Sequence, residues 1–159
     1  MGLDRLGNGE RIAGVSAILL FVFMFFDWFG VKLSNNSNLL FAIRGDGSGQ
    51  SAWEALDYIP IVLLITIIVV LAVVTLRLTS AARKPPTLTN ALVAILGLVS
   101  ILLILFRVFD PPTFGIEETI TYEGTVQLPI FLALAAACGI AYGGYRAMRE
   151  EDHREQESI

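Results

Sequence analysis

The chain has one histidine and one cysteine. His153 stands beside Asp152 in a charged stretch, and Cys138 stands between Ala137 and Gly139 in an apolar one. These residue types make nucleophiles, general bases and soft metal sites, but each such chemistry needs partners: a base beside the nucleophile, or three to four ligands held together. A lone histidine in a charged tail reads as a solvated residue. A lone cysteine inside an apolar run reads as a buried small hydrophobe, and it has no partner in the chain for an intramolecular disulfide. Carboxylates are the other reactive group: Asp27, Asp46, Glu54, Asp57, Asp110, Glu117, Glu118 and Glu123 fall in two segments that hold only Lys32, Arg44 and Arg107 as basic residues. Neither segment has the alternating oxygen-ligand spacing of a calcium loop, so charge segregation explains them better than a cation site. Arg44-Gly45-Asp46 spells an adhesion tripeptide and Asn35-Asn36-Ser37 a glycosylation sequon, and both are too short to carry a function. The expectation is a chain with no catalytic residue, no metal and no cofactor, hence not an enzyme.

Two charges are more informative because of where they stand. Asp27 interrupts the aromatic run Phe25-Phe26-Asp27-Trp28-Phe29, and Arg107 closes the apolar run that begins at Leu88. An isolated charge near hydrocarbon is costly, whereas a guanidinium and a carboxylate can neutralise each other through two parallel hydrogen bonds. Asp27 and Arg107 are therefore a candidate intramembrane charge pair. The readings open to them are a substrate or proton port, a structural clamp, or separate snorkelling to the headgroups, with Asp110 a competing partner for Arg107.

The elements that must position these residues follow from composition. Of 159 residues, 55% are hydrophobic and 16% charged, with mean hydropathy +0.68. Soluble domains run nearer 45–50% and about 25%, so lipid is the expected solvent. The net charge of −4 offers no basic stripe for nucleic acid. Four apolar runs stand out: Ile12–Phe26, Tyr58–Leu76, Leu88–Phe106 and Leu128–Tyr145. Roughly 20 helical residues cross a hydrocarbon core of about 30 Å, so each run is a single span, at about 12–31, 58–77, 88–107 and 127–146. The first has no small-residue cleavage site after it and reads as a retained helix rather than a signal peptide. The fold class is an all-α membrane protein: residues 1–149 form an antiparallel four-helix transmembrane bundle, and 150–159 a charged cytoplasmic tail.

Orientation follows from Lys and Arg. Arg5, Arg11, Arg77, Arg83, Lys84, Arg146, Arg149 and Arg154 fall on the side of the termini, against Lys32, Arg44 and Arg107 on the other. Both termini are expected in the cytoplasm. The outer segments then form a small extracytoplasmic cap. Ser51-Ala52-Trp53-Glu54 matches a capping box and predicts a helix from about Ala52 into the second span, with Pro60 near its first turns. Thr119-Ile120-Thr121-Tyr122 alternates, and Glu123-Gly124 can turn it back into Thr125-Val126-Gln127, giving either a small hairpin or an irregular loop. In the fourth span Ala135, Gly139 and Gly143 recur every four residues, a helix-packing face that serves either a seam within the bundle or a dimer.

The patch Phe25-Phe26-Asp27-Trp28-Phe29-Gly30, the segment Ser51-Ala52-Trp53-Glu54-Ala55-Leu56 and the close Tyr142-Gly143-Gly144-Tyr145-Arg146-Ala147-Met148-Arg149-Glu150-Glu151 resemble those of a family of small, uncharacterised four-span membrane proteins of actinobacterial type. Asp27 stands where that family's patch has a proline. The resemblance covers nearly the whole chain and implies the four-span fold but no activity. The expected function is thus a non-enzymatic accessory, scaffold or partner-binding subunit, in contact with lipid and with another membrane protein or a second copy. A small oligomeric transporter or channel is the alternative, and the near absence of midplane polar groups beyond Thr66 and Ser100 argues against it.

The charge bias makes a direct prediction. In a Cys138→Ala background, Gly47→Cys should react with a membrane-impermeant maleimide added to intact cells, and His153→Cys should not. The reverse pattern would overturn the orientation.

Overall fold

The computed structural model describes residues 6–30, 50–56, 58–79, 87–111, 113–115, 121–123 and 125–156. In chain order they form α1 (Asn8–Phe23), β1 (Asp27–Gly30), β2 (Gln50–Ser51), α2 (Ala52–Ala55), α3 (Ile59–Thr79), α4 (Thr87–Phe109), β3 (Thr113–Gly115), β4 (Thr121–Glu123), β5 (Thr125–Val126) and α5 (Leu128–Gln156). The chain is mostly helical. Among the described residues, three helices are long and apolar enough to cross a membrane: Ile59–Thr79, Leu88–Phe109 and Leu128–Glu151.

The first of the four expected spans departs from expectation after residue 23. Instead of running to residue 31, the helix stops at Phe23 and Asp27–Gly30 is a strand. Sixteen residues make about 24 Å of helix, short of a hydrocarbon core. The stop has local causes. Phe25 N–H bonds Val22 O at 3.2 Å and Phe26 N–H bonds Phe23 O at 3.3 Å, tightening the last turn. The Trp28 indole N–H then donates to the same Phe23 O at 2.8 Å, giving that last-turn carbonyl a second, shorter hydrogen bond. Trp28 and Phe29 are fully buried.

The capping box is present, and the helix it starts is shorter than expected. Ser51 N–H donates to the Glu54 carboxylate at 3.1 Å, and the Ser51 hydroxyl lies 3.3 Å from the same oxygen. Yet α2 ends after Ala55, and Leu56 is extended (φ −132°, ψ 121°), so it does not run on into α3. Pro60 is the second residue of α3, where a missing N–H removes no helical bond. Over 119–127, where a hairpin is one of two readings, the described strands do not pair with each other. Thr119, Ile120 and Gly124 lie outside the described residues, and the rest divides between two partners. β4 pairs antiparallel with β3, Phe114 opposite Tyr122, whereas β5 pairs with β1, Phe29 opposite Val126. Gln127 N–H bonds Trp28 O at 2.9 Å, which draws the segment before α5 onto β1. With β2 on its other edge, β1 becomes the centre of a three-stranded sheet.

The helices close a ring: α1 lies against α5 and α3, and α4 lies against α5 and α3. Neighbours run antiparallel, since Gly9 meets Ala147 while Ser16 meets Gly139, and Gly97 meets Ala141 while Gly144 meets Ala94. Leu20, Leu63, Ile67, Ile104, Ile130 and Ile140 fill the centre. The outward faces are apolar too: Ile18, Ile61, Ile65, Ile68, Ile95, Leu102 and Phe106 are all exposed. A helix that is apolar all round has no side meant for water.

The seams on α5 are glycine contacts. A Cβ on Gly143 would stand 2.6 Å from Ala13 N and 2.7 Å from Gly9 O of α1; one on Gly144 would stand 2.6 Å from Ala94 N of α4. Neighbouring residues on a helix point about 100° apart, so the Gly-Gly pair gives one close approach to each flanking helix. Because the obstacle is backbone, Gly143→Ala and Gly144→Ala should each lower stability in detergent by about 1–3 kcal/mol. Gly14→Ala faces only the Val74 methyls, the nearer at 3.3 Å, and should change stability by less than about 0.5 kcal/mol. Equal thermal midpoints for all three variants would contradict the seam.

Candidate functional site

The ends of α1, α3, α4 and α5 that converge near the chain termini, here called the terminal end, hold the main polar cluster among the described residues. Glu10 is 6% exposed although it is ionisable. Its position in the first turn of α1 explains part of this: Gly7 N–H donates to its carboxylate at 3.1 Å, satisfying an orphan donor of the helix start. Arg77, in the last turn of α3, contributes the rest, with Nε 2.9 Å from the other Glu10 oxygen. That N–H is not aligned as a directed hydrogen bond, so the contact acts as a charge pair. The same guanidinium also contacts Glu151 of α5. Arg77 therefore joins three helices. The helix dipoles favour this: an acid sits at the N-terminal turn of α1 and a base at the C-terminal turn of the antiparallel α3. Beside it, Arg146 pairs with Glu150 at 3.2 Å along α5.

Below the cluster lies a cavity of about 10 Å³, walled by all four long helices, with Glu10, Val73, Asn90 and Gly143 among its lining residues. A space of that size holds at most one water. Asn90 is 2% exposed, and its amide nitrogen has no hydrogen-bond partner among the described residues. Nearer the middle of the helices, the Thr66 hydroxyl donates to Val62 O at 3.0 Å. Ser100 Oγ lies 2.9 Å from Leu96 O and 3.3 Å from Thr66 Oγ1, so its single proton serves one of them at a time.

The residues singled out in the sequence distribute as follows. Asp27 is in β1, opposite Ser51, and Arg107 is in the last turn of α4; both are half-buried and both have interaction partners. α1 and α4 stand diagonally in the ring. Of the packing face, Gly143 is buried and Gly139 half-buried against α1, but Ala135 is exposed. The row therefore continues as Gly139, Gly143 and Ala147 rather than starting at Ala135. At 3.6 residues per turn, a four-residue repeat drifts about 40° per step and so leaves the seam. Cys138 is exposed on the outward side of α5, not buried, and His153 is exposed. No group of three or more His, Cys, Asp or Glu that could hold a metal occurs among the described residues.

Glu10, Arg77, Glu151 and Asn90 were not singled out in the sequence. A signal for the first two was available. Glu10 stands just before the first apolar run and Arg77 just after the second, so antiparallel spans would bring the two to one boundary. Compared with known proteins, the chain matches no family model, no curated protein and no solved structure. What defines its class is the helices themselves: a mostly helical chain with three helices fit to cross a membrane.

The side chains of Glu10, Arg77 and Glu151 are 7%, 16% and 18% exposed. Removing one partner from such a pair strands the other charge and costs about 3–5 kcal/mol in buried cases. Arg77→Gln should destabilise by about 3 kcal/mol in detergent, more than Glu10→Gln, because it strands two carboxylates. The double variant should lose clearly less than the sum. Additive losses in that cycle would show that the two residues act independently.

Proposed function

We propose that the chain is an integral membrane protein of the bacterial plasma membrane, folded as an antiparallel four-helix bundle with both termini in the cytoplasm. In this reading α1 crosses together with the aromatic turn and strand that follow it, and the sheet and α2 form the extracytoplasmic cap. It acts without catalysis, as an accessory or scaffold subunit whose partners are lipid and another membrane protein or a second copy. The resemblance to uncharacterised four-span proteins agrees with this layout.

One observation carries the reading. The buried polar groups connect helices to each other: Glu10, Arg77 and Glu151 across three of them, and Thr66 with Ser100 across two. Such groups serve rigidity and a fixed helix arrangement, as a scaffold requires. The second reading, a small oligomeric transporter or channel, draws on the partnerless Asn90 amide beside the cavity. The cavity's size, about 10 Å³, weighs against passage through a single copy.

The test is purification from native membranes in mild detergent. The expected result is a stoichiometric membrane-protein partner or a discrete oligomer of the chain, with no ion or solute flux when the purified protein is placed in liposomes. Flux above empty liposomes would overturn the scaffold reading in favour of the transporter.

A further inference from the structure

We infer that the outward face of α5 near the terminal end, formed by Tyr142, Tyr145 and Arg149, holds the headgroup of an anionic phospholipid in the cytoplasmic leaflet. The inference rests on the membrane orientation proposed above.

These three residues recur at the three- and four-residue spacing that places side chains on one helix face. Tyr142 and Tyr145 are 55% and 52% exposed, and Arg149 is exposed with its guanidinium 5.9 Å from the centre of the Tyr145 ring. A tyrosine ring is apolar at its body and polar at its tip, which suits the boundary between acyl chains and headgroups. The stacked arginine is held at that same boundary, and its planar fork matches two phosphate oxygens.

The local sequence hides this face. Arg146-Ala147-Met148-Arg149-Glu150-Glu151 carries two positive and two negative charges and appears neutral. The fold separates them. Glu151 turns to Arg77, and Glu150 pairs with Arg146 and lies against Gly7. Glu10, the acid at the start of α1, is buried on Arg77. Glu10, Glu150 and Glu151 are thus committed to other partners, and Arg149 is left facing outward. Toward the sheet end the same face continues as exposed Cys138, Ala135 and Phe131. That apolar track fits acyl chains, which a soluble anion lacks, so the occupant is a lipid and not free phosphate.

The experiment is native mass spectrometry of the full chain released from mixed micelles holding equal mole fractions of phosphatidylglycerol and phosphatidylcholine with the same acyl chains. One arginine at the surface should favour the anionic lipid about fivefold in the ratio of bound adducts. Arg149→Gln should bring that ratio close to one. Arg149→Lys should keep most of it, and Tyr145→Ala should reduce it. Because the face is exposed, these variants leave the helix seams untouched. Equal adducts in the wild type, or a preference that survives Arg149→Gln, would overturn the inference. So would a lipid-free dimer that Tyr145→Ala dissolves, since the face would then belong to a second copy. A chain that stays monodisperse in buffer without detergent would overturn the membrane reading itself. That result differs from an inserted chain with no headgroup preference, which overturns only the headgroup site.

Discussion

Backbone contact between helices is the constraint on which this structure depends. Lipid removes the hydrophobic force that drives helices together in water, and what remains is van der Waals packing at close range. α5 achieves that range on two sides at once through consecutive glycines, Gly143 against α1 and Gly144 against α4. The partners reciprocate: Gly9 lies under Ala147, and Gly97 under Ala141. α3 has no such contact with α5. It is placed by larger side chains, Leu63, Ile67 and Val70, and by Arg77 at its end. The ring therefore consists of three helices joined by glycine seams and a fourth held by larger side chains and by charge at its end.

That division explains where the polar groups sit. A guanidinium shared by Glu10 and Glu151 ties α3 to α1 and α5, where the other seams hold by close backbone packing. The cavity beside Asn90 lies where the valines of α3 meet the glycines of α5, which is where packing by large side chains meets packing by backbone. A small void is the expected mismatch between the two modes.

The sequence made the helices legible because their signal is long and redundant. Nineteen uncharged residues from Tyr58 to Leu76 can lose several members and still be a span. The capping box at Ser51 was legible for another reason: it is local, and Glu54 needs only its own turn to reach Ser51. What was not legible depends on distant neighbours. Thr125 and Val126 join β1 instead of turning back on β4, and nothing within 119–127 encodes that choice. Ala135 belongs to the same four-residue row as Gly139 and Gly143, yet only the position of α1 decides which members touch it. Glu10 and Arg77 looked like ordinary flanking charges, because their pairing follows from helix order.

The shortened α1 and the small sheet answer a single requirement. In the four-span reading proposed above, a helix of about 24 Å leaves part of a bilayer to be crossed, and non-helical backbone is tolerated at that depth only when its polar groups are paired. β1 meets the condition because it is the central strand, with β2 on one edge and β5 on the other. Its buried aromatic side chains, Trp28 and Phe29, face protein, and the Trp28 indole N–H is consumed by Phe23 O. β5 leads within two residues into α5, so the same pairing that shields β1 fixes the start of the helix carrying both glycine seams. The order of dependence then runs from the aromatic strand to the placement of α5, and from α5 to the ring.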